Sequence, residues 1–129
     1  MLIKRGDVVR VYFPNSDLVS AKRRPALVVQ ADNLATGLSQ ILLAMITSNL
    51  NRASHLSRVS VNLDSLEGRA SGLRTDSVIM TDNIVNVLET EIDSVLGRLS
   101  SMEAVNNALR HSFGLNETVK DFENEKDKI

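Results

Sequence analysis

Gly6-Asp7-Val8-Val9-Arg10-Val11-Tyr12-Phe13-Pro14 alternates polar and apolar residues as a half-buried strand does, and Arg23-Arg24-Pro25-Ala26-Leu27-Val28-Val29 reads as a buried strand entered through two arginines. Pro25 has no backbone N–H to donate, and a residue before proline is pushed into extended geometry. The side chain of Arg24 is therefore aimed by its backbone. A guanidinium held at the mouth of a small β-structure suits a phosphate. A surface arginine at the start of a strand fits the same local pattern.

Outward from this pair the chain reads as a succession of short strands. Ile41–Thr47 is a buried run, Arg58–Leu63 alternates cleanly, and Ser77–Met80, Ile84–Leu88 and Ser94–Leu99 follow. Turn-rich segments separate them at Asn15–Lys22, Asp32–Gln40, Asn49–Ser57 and Asp64–Ser71. Within the second of these, Asp32–Ala35 fits one helical turn capped by Asp32 and ended by Gly37. A single longer helix closes the sequence. Ser100 and Glu103 have the spacing of a capping box, Met102, Val105, Leu109 and Phe113 recur at helical intervals, and Gly114 is placed to end a helix of about 13 residues. Many strands followed by one amphipathic helix predict a mainly β domain: a small, bent antiparallel sheet of the SH3-like barrel type with a C-terminal helix. The domain is expected over residues 1–116, with a charged tail at 117–129.

Composition narrows the function classes. The chain has 129 residues, room for one domain with a core, and no cysteine, which removes disulfides and thiolate metal sites. No apolar run approaches the ~20 residues that cross a membrane, so a soluble cytoplasmic protein is expected. The net charge of −1 conceals an uneven distribution. Residues 1–31 hold six Lys/Arg against two acids, whereas 81–93 hold Asp82, Glu89, Glu91 and Asp93 with no base. A polyanion on one face and a basic partner or second copy on another would fit that division.

Three further groups join Arg24 as candidates. Thr47 and Ser48 leave the third strand on the rim of the sheet, within reach of whatever Arg24 binds if the two strands pair antiparallel. In an extended chain Arg74 and Asp76 would share a face, one supplying a cation and the other a base beside a phosphate, or the two forming an ion pair. Lys22 and Arg23 add field. His55 and His111 read as a loop and a helix-surface residue. No Asp/Glu/His group has metal spacing and no glycine-rich phosphate loop precedes a helix, so no metal and no cofactor are expected.

The order of these motifs resembles the MazF/PemK family of toxins from toxin–antitoxin systems. The likeness runs through Gly6-Asp7-Val8-Val9, Arg24-Pro25-Ala26-Leu27-Val28, Ile46-Thr47-Ser48, Gly72-Leu73-Arg74-Thr75-Asp76-Ser77-Val78 and Leu96-Gly97-Arg98-Leu99-Ser100, over residues 3–115. The resemblance implies a metal-independent, sequence-specific endoribonuclease that cuts single-stranded RNA by 2′-hydroxyl attack, leaving a 2′,3′-cyclic phosphate. It implies Arg24, Thr47, Arg74 and Asp76 as catalytic residues, with Lys22, Arg23, Asp17, Ser48, Asn49 and Ser77 on the RNA. It also implies a homodimer neutralised by a small, acidic, partly disordered antitoxin, with DNA met only through that antitoxin. Three departures stand out: the loop before Arg24 has no glycine, Asp82-Asn83-Ile84-Val85 has neither the glutamine nor the following arginine usual after Ser77-Val78, and the charged tail after Leu115 extends beyond the usual end. The same fold used as a gyrase-binding poison of the CcdB kind, or as a silent relative that only binds its antitoxin, is the other reading.

Overall fold

The computed structural model describes residues 2–14 and 21–115. Asp17 and the tail at 117–129 lie outside the described residues. Six strands form one antiparallel sheet: β1 (Asp7–Pro14), β2 (Ala21–Val28), β3 (Gln40–Thr47), β4 (Arg58–Val61), β5 (Ser77–Leu88) and β6 (Ile92–Arg98), in the spatial order β4-β5-β3-β2-β1-β6. A short helix α1 (Leu66–Ser71) sits between β4 and β5, and α2 (Glu103–Phe113) closes the fold. The bent antiparallel sheet with a closing helix is the expected fold; its edge strands β4 and β6 are not hydrogen-bonded to each other, so the sheet is open at that seam.

Alternation along the strands loads both faces with apolar side chains. Val9, Val11, Ala26, Val28, Leu43, Met45, Val87 and Ile92 form one cluster, which joins β6 to β5 across three intervening strands and so requires the sheet to curl. Val8, Leu27, Ala44, Ile46, Val61, Ile79 and Leu99 form the other, covered by Val105 of α2. The sheet is a two-sided core. Removing ten or more aliphatic side chains from water at roughly 25 cal/mol per Å² is the main force holding it.

Local readings differ from the structure in three places, each for a physical reason. The segment 64–71 contains a helix because Ser65 caps it, its Oγ accepting from Gly68 N at 2.9 Å, and Gly72 ends it at φ 74°. Ser100 does not cap α2: its hydroxyl donates to Glu67 of α1, and Ser101 Oγ accepts from Glu103 N at 3.3 Å instead. Asp32 starts no helical turn; its Oδ1 accepts from Arg5 N at 2.7 Å and ties the loop to the N-terminal segment.

β5 is one strand rather than two, but it carries a break in register. Ala44 pairs with Ile84 and Ile46 with Ile79, so extra β5 residues bulge opposite Met45. Thr81 anchors that bulge: it is buried, its N–H donates to Ser57 O at 3.0 Å and its Oγ1 at 2.6 Å, and it lies 2.8 Å from Ser112 Oγ on α2. Thr81→Val keeps the shape and the N–H bond to Ser57 O but removes the hydroxyl from Ser57 O and Ser112 Oγ, which predicts a loss of about 1 kcal/mol in denaturant titration.

Candidate nucleic-acid interface

β2 and β3 are hydrogen-bonded only through Ala26↔Met45, Leu27↔Ala44 and Val28↔Leu43. Past Ala26 the two strands part, although β2 continues to pair with β1 as far as Pro14↔Ala21 and β3 with β5 as far as Thr47↔Val78. The sheet therefore splits along the line on which the same register would set Arg24 opposite Thr47. An open groove of about 960 Å³ occupies the split.

Its walls come from five strands and one turn. Lys22, Arg23 and Arg24 line it from β2, and Ile46, Thr47 and Ser48 from the end of β3. Gly72, Leu73, Arg74, Thr75 and Ser77 come from the turn after α1. Met80 and Asn83 are delivered by the β5 bulge, and Leu96 from β6. Arg10 and Phe13 of β1 complete the lining. Five cationic side chains face this space, and no Asp, Glu or His is among the described residues that line it. The lining is built for an anion.

Arg24 is exposed and forms neither an ion pair nor a side-chain hydrogen bond among the described residues, so its guanidinium is available. Thr47 Oγ1 accepts from Asn49 N at 3.1 Å, which fixes the hydroxyl and leaves its hydrogen to donate outward. Asn49 itself serves this turn, with Oδ1 accepting from Asn51 N at 3.0 Å, and is not part of the lining. Ser77 is buried and its Oγ donates to Thr75 O at 2.9 Å.

Arg74 and Asp76 do not share a face. The chain bends at Arg74 and Thr75 before β5 begins, so the two-residue period of an extended strand does not apply. Arg74 lines the groove, whereas Asp76 does not: its Oδ1 accepts from Leu63 N at 2.8 Å and fastens the turn to the end of β4. The expected base is thereby separated from its cation.

A second layer supports the β1–β2 wall. Arg23 lies over Tyr12, its directly paired neighbour, with Cζ 5.0 Å from the ring centroid and NH2 donating to the phenolic oxygen at 2.6 Å. Arg10 Nε donates to Asp93 Oδ2 at 2.9 Å. The Tyr12 hydrogen bond first, and then the charge of Asp93, push the Arg23 guanidinium pKa further up. Asp93 reaches these arginines because β6 also slips register against β1, between Ser94 opposite Arg10 and Ile92 opposite Val11. A second slip on the same strand turns Leu96 into the groove. Asn83, Leu96 and Asp93 carry no signal for this place in the sequence because bulges, which follow no side-chain period, bring them here, and Arg10 is tied in through its bond to Asp93.

The family model described as PemK-like, MazF-like toxin of type II toxin–antitoxin system matches residues 4–113. The chain belongs to this toxin family. Among its PemK/MazF relatives, the endoribonuclease MazF6 of Mycobacterium tuberculosis is 32% identical over 119 residues, covering 89% of this chain and 100% of that protein. The endoribonuclease MazF2 of Mycobacterium bovis matches to the same extent. Solved structures share the PemK/MazF fold at lower identity. A mycobacterial endoribonuclease in complex with its cognate antitoxin gives a TM-score of 0.69 at 19% identity, over 90% of this chain and 99% of that one. The MazE–MazF complex of Deinococcus radiodurans gives 0.64 at 15% identity, over 89% and 96%.

Proposed function

We propose that this chain is the toxin of a toxin–antitoxin pair and an endoribonuclease, cutting single-stranded RNA without a metal ion through attack of a ribose 2′-hydroxyl on the neighbouring phosphorus. The observation that carries the reading is the split between β2 and β3, with Arg24 on one lip and Thr47 on the other. As the 2′-oxygen approaches, negative charge collects on the non-bridging phosphate oxygens. Arg24 offers two parallel N–H groups to that charge, and Thr47 offers the hydrogen its turn leaves free. The 5′-oxygen then departs beside Arg74, while water in the open groove takes the 2′-hydroxyl proton and returns one to the leaving oxygen. A guanidinium is a permanent cation with donors and no acceptor, so both arginines act by stabilising charge rather than by shuttling protons. Lys22 and Ser48 guide the backbone on either side. Among the described residues the lining holds no carboxylate and so offers a divalent cation no anionic ligand, which supports the metal-free route.

In this reading two copies form the working dimer, and the antitoxin lays an extended acidic segment over the cationic groove, competing with RNA for the same charges. The purified protein incubated with a long RNA in excess EDTA should yield fragments ending in 2′,3′-cyclic phosphate. Intact RNA, both with EDTA and with added divalent ions, would remove the nuclease assignment.

Asp76 enters this scheme as an anchor for the Leu73–Ser77 turn. Asp76→Asn keeps an oxygen for Leu63 N but has no carboxylate to take a proton, so cleavage should stay within about threefold of wild type. A general base in that position would instead be worth about 10²–10⁴-fold. Rates measured across pH separate the two.

A further inference from the structure

The five groove cations divide into two kinds. Lys22, Arg24 and Arg74 form no ion pair among the described residues, and their full charge faces the groove. Arg10 and Arg23 are tethered. Arg10 meets Asp93 Oδ2 through Nε at 2.9 Å and NH2 at 2.8 Å, while Arg23 Nε lies 3.9 Å from the same oxygen and its NH2 bonds to Tyr12. The single carboxylate at that range offsets much of the field Arg10 sends to a distant phosphate and a smaller part of that from Arg23. It leaves the directional donors on the far side of the guanidinium intact and holds them in one plane. What remains suits a neutral acceptor pair better than a phosphate.

We infer that Asp93 makes Arg10, with Arg23 beside it, the reader of a base flanking the scissile linkage. The base it accepts presents two adjacent hydrogen-bond acceptors: guanine through O6 and N7, or cytosine through O2 and N3. Adenine and uracil place a donor beside each such acceptor and cannot satisfy a planar fork in this way. Unpaired bases in a single strand expose these edges, whereas a duplex would hide some of them. The inference rests on the nuclease reading, with Arg10 and Arg23 as specificity residues and Asp93 as the residue that positions them.

The test uses short RNAs spanning a mapped cleavage site, with a 2′-deoxy nucleotide at the scissile position so that they bind without being cut. Each neighbouring base is varied in turn. The wild-type protein should show one position at which guanine or cytosine outbinds adenine and uracil by about tenfold. If guanine is the base, 7-deazaguanine should lose that advantage; if cytosine, 7-deazaguanine should change nothing. Arg10→Lys should keep overall affinity and lose the preference. Asp93→Asn should also lose it, while binding every RNA at least as tightly, with a salt dependence steeper by about 0.7 in log–log slope for each charge released.

A purely structural Asp93 would instead weaken all RNAs equally and leave the slope unchanged, and melting curves of both variants check that the fold is kept. No preference at any position, or a preference that survives in both variants, overturns the inference while the nuclease reading stands. Failure of the wild-type protein to cut any RNA brings down both.

Discussion

Arg24→Ala should lower RNA cleavage by at least about 100-fold, the scale on which loss of one donor to a developing oxyanion is felt. The argument is positional. Proline at 25 holds Arg24 extended, β1 pins it through the pairing with Val11, and the parted β3 leaves the groove side of the strand open. A side chain so placed loses little freedom when it meets a phosphate, so most of its interaction is available to the transition state. The fold should not suffer. Arg24 is exposed and contributes to neither apolar cluster, so its truncation belongs with surface changes of about 0.5 kcal/mol or less. Arg24→Lys should recover only a small part of the rate, because a point charge replaces a planar fork. Single-turnover cleavage alongside thermal melting reads both quantities. Wild-type cutting by the alanine variant would take Arg24 out of the mechanism.

Gly72→Ala should be among the most destabilising single changes in the described chain, at or beyond the upper end of the usual 0.5–3 kcal/mol range and roughly 10 °C in melting temperature. Gly72 sits at φ 74°, which costs an L-residue about 1–2 kcal/mol. Its geometry adds a second obstacle. A Cβ built there would lie 2.1 Å from Leu96 O and 2.5 Å from Leu96 C, backbone atoms of a strand already paired with β1. Neither side can yield without breaking the β6 ladder or moving α1. Gly72→Asn separates the two causes, since asparagine tolerates the left-handed conformation but still carries a Cβ. If the contact with Leu96 dominates, asparagine should be nearly as damaging as alanine; if the φ angle dominates, it should recover most of the loss. Because Gly72 leads directly into Leu73 and Arg74, cleavage should fall with stability in both variants.

Much of the molecule was legible in the primary structure because it depends on short-range patterns. Alternation at Asp7–Phe13 and the apolar run at Ile41–Thr47 are strands whatever surrounds them, and the stripe Val105–Leu109 with Gly114 is a helix end. That Arg24 and Thr47 line one groove was legible for the same reason: β2 and β3 run antiparallel in the register that faces the two, although the strands part at Ala26↔Met45 and leave them on the two lips.

Other features answered to distant partners. Ser100 had two acceptable roles, and α1 offered Glu67 as a partner, so the capping box gave way. An extended chain would set Arg74 and Asp76 on one face, but the chain bends after Gly72 and Asp76 takes the N–H of Leu63, so only Arg74 lines the groove.

The amino-acid order by itself thus determined the strands, the closing helix and the cationic lip, since each is written in neighbouring residues and in the two- and 3.6-residue periods of the backbone. Only the tertiary structure decided where the sheet splits, which residues bulge into the split, and which arginines are tethered by Asp93. Register slips at β5 and β6 are settled by packing between strands far apart in the chain, where each local pattern is satisfied equally well by more than one alignment.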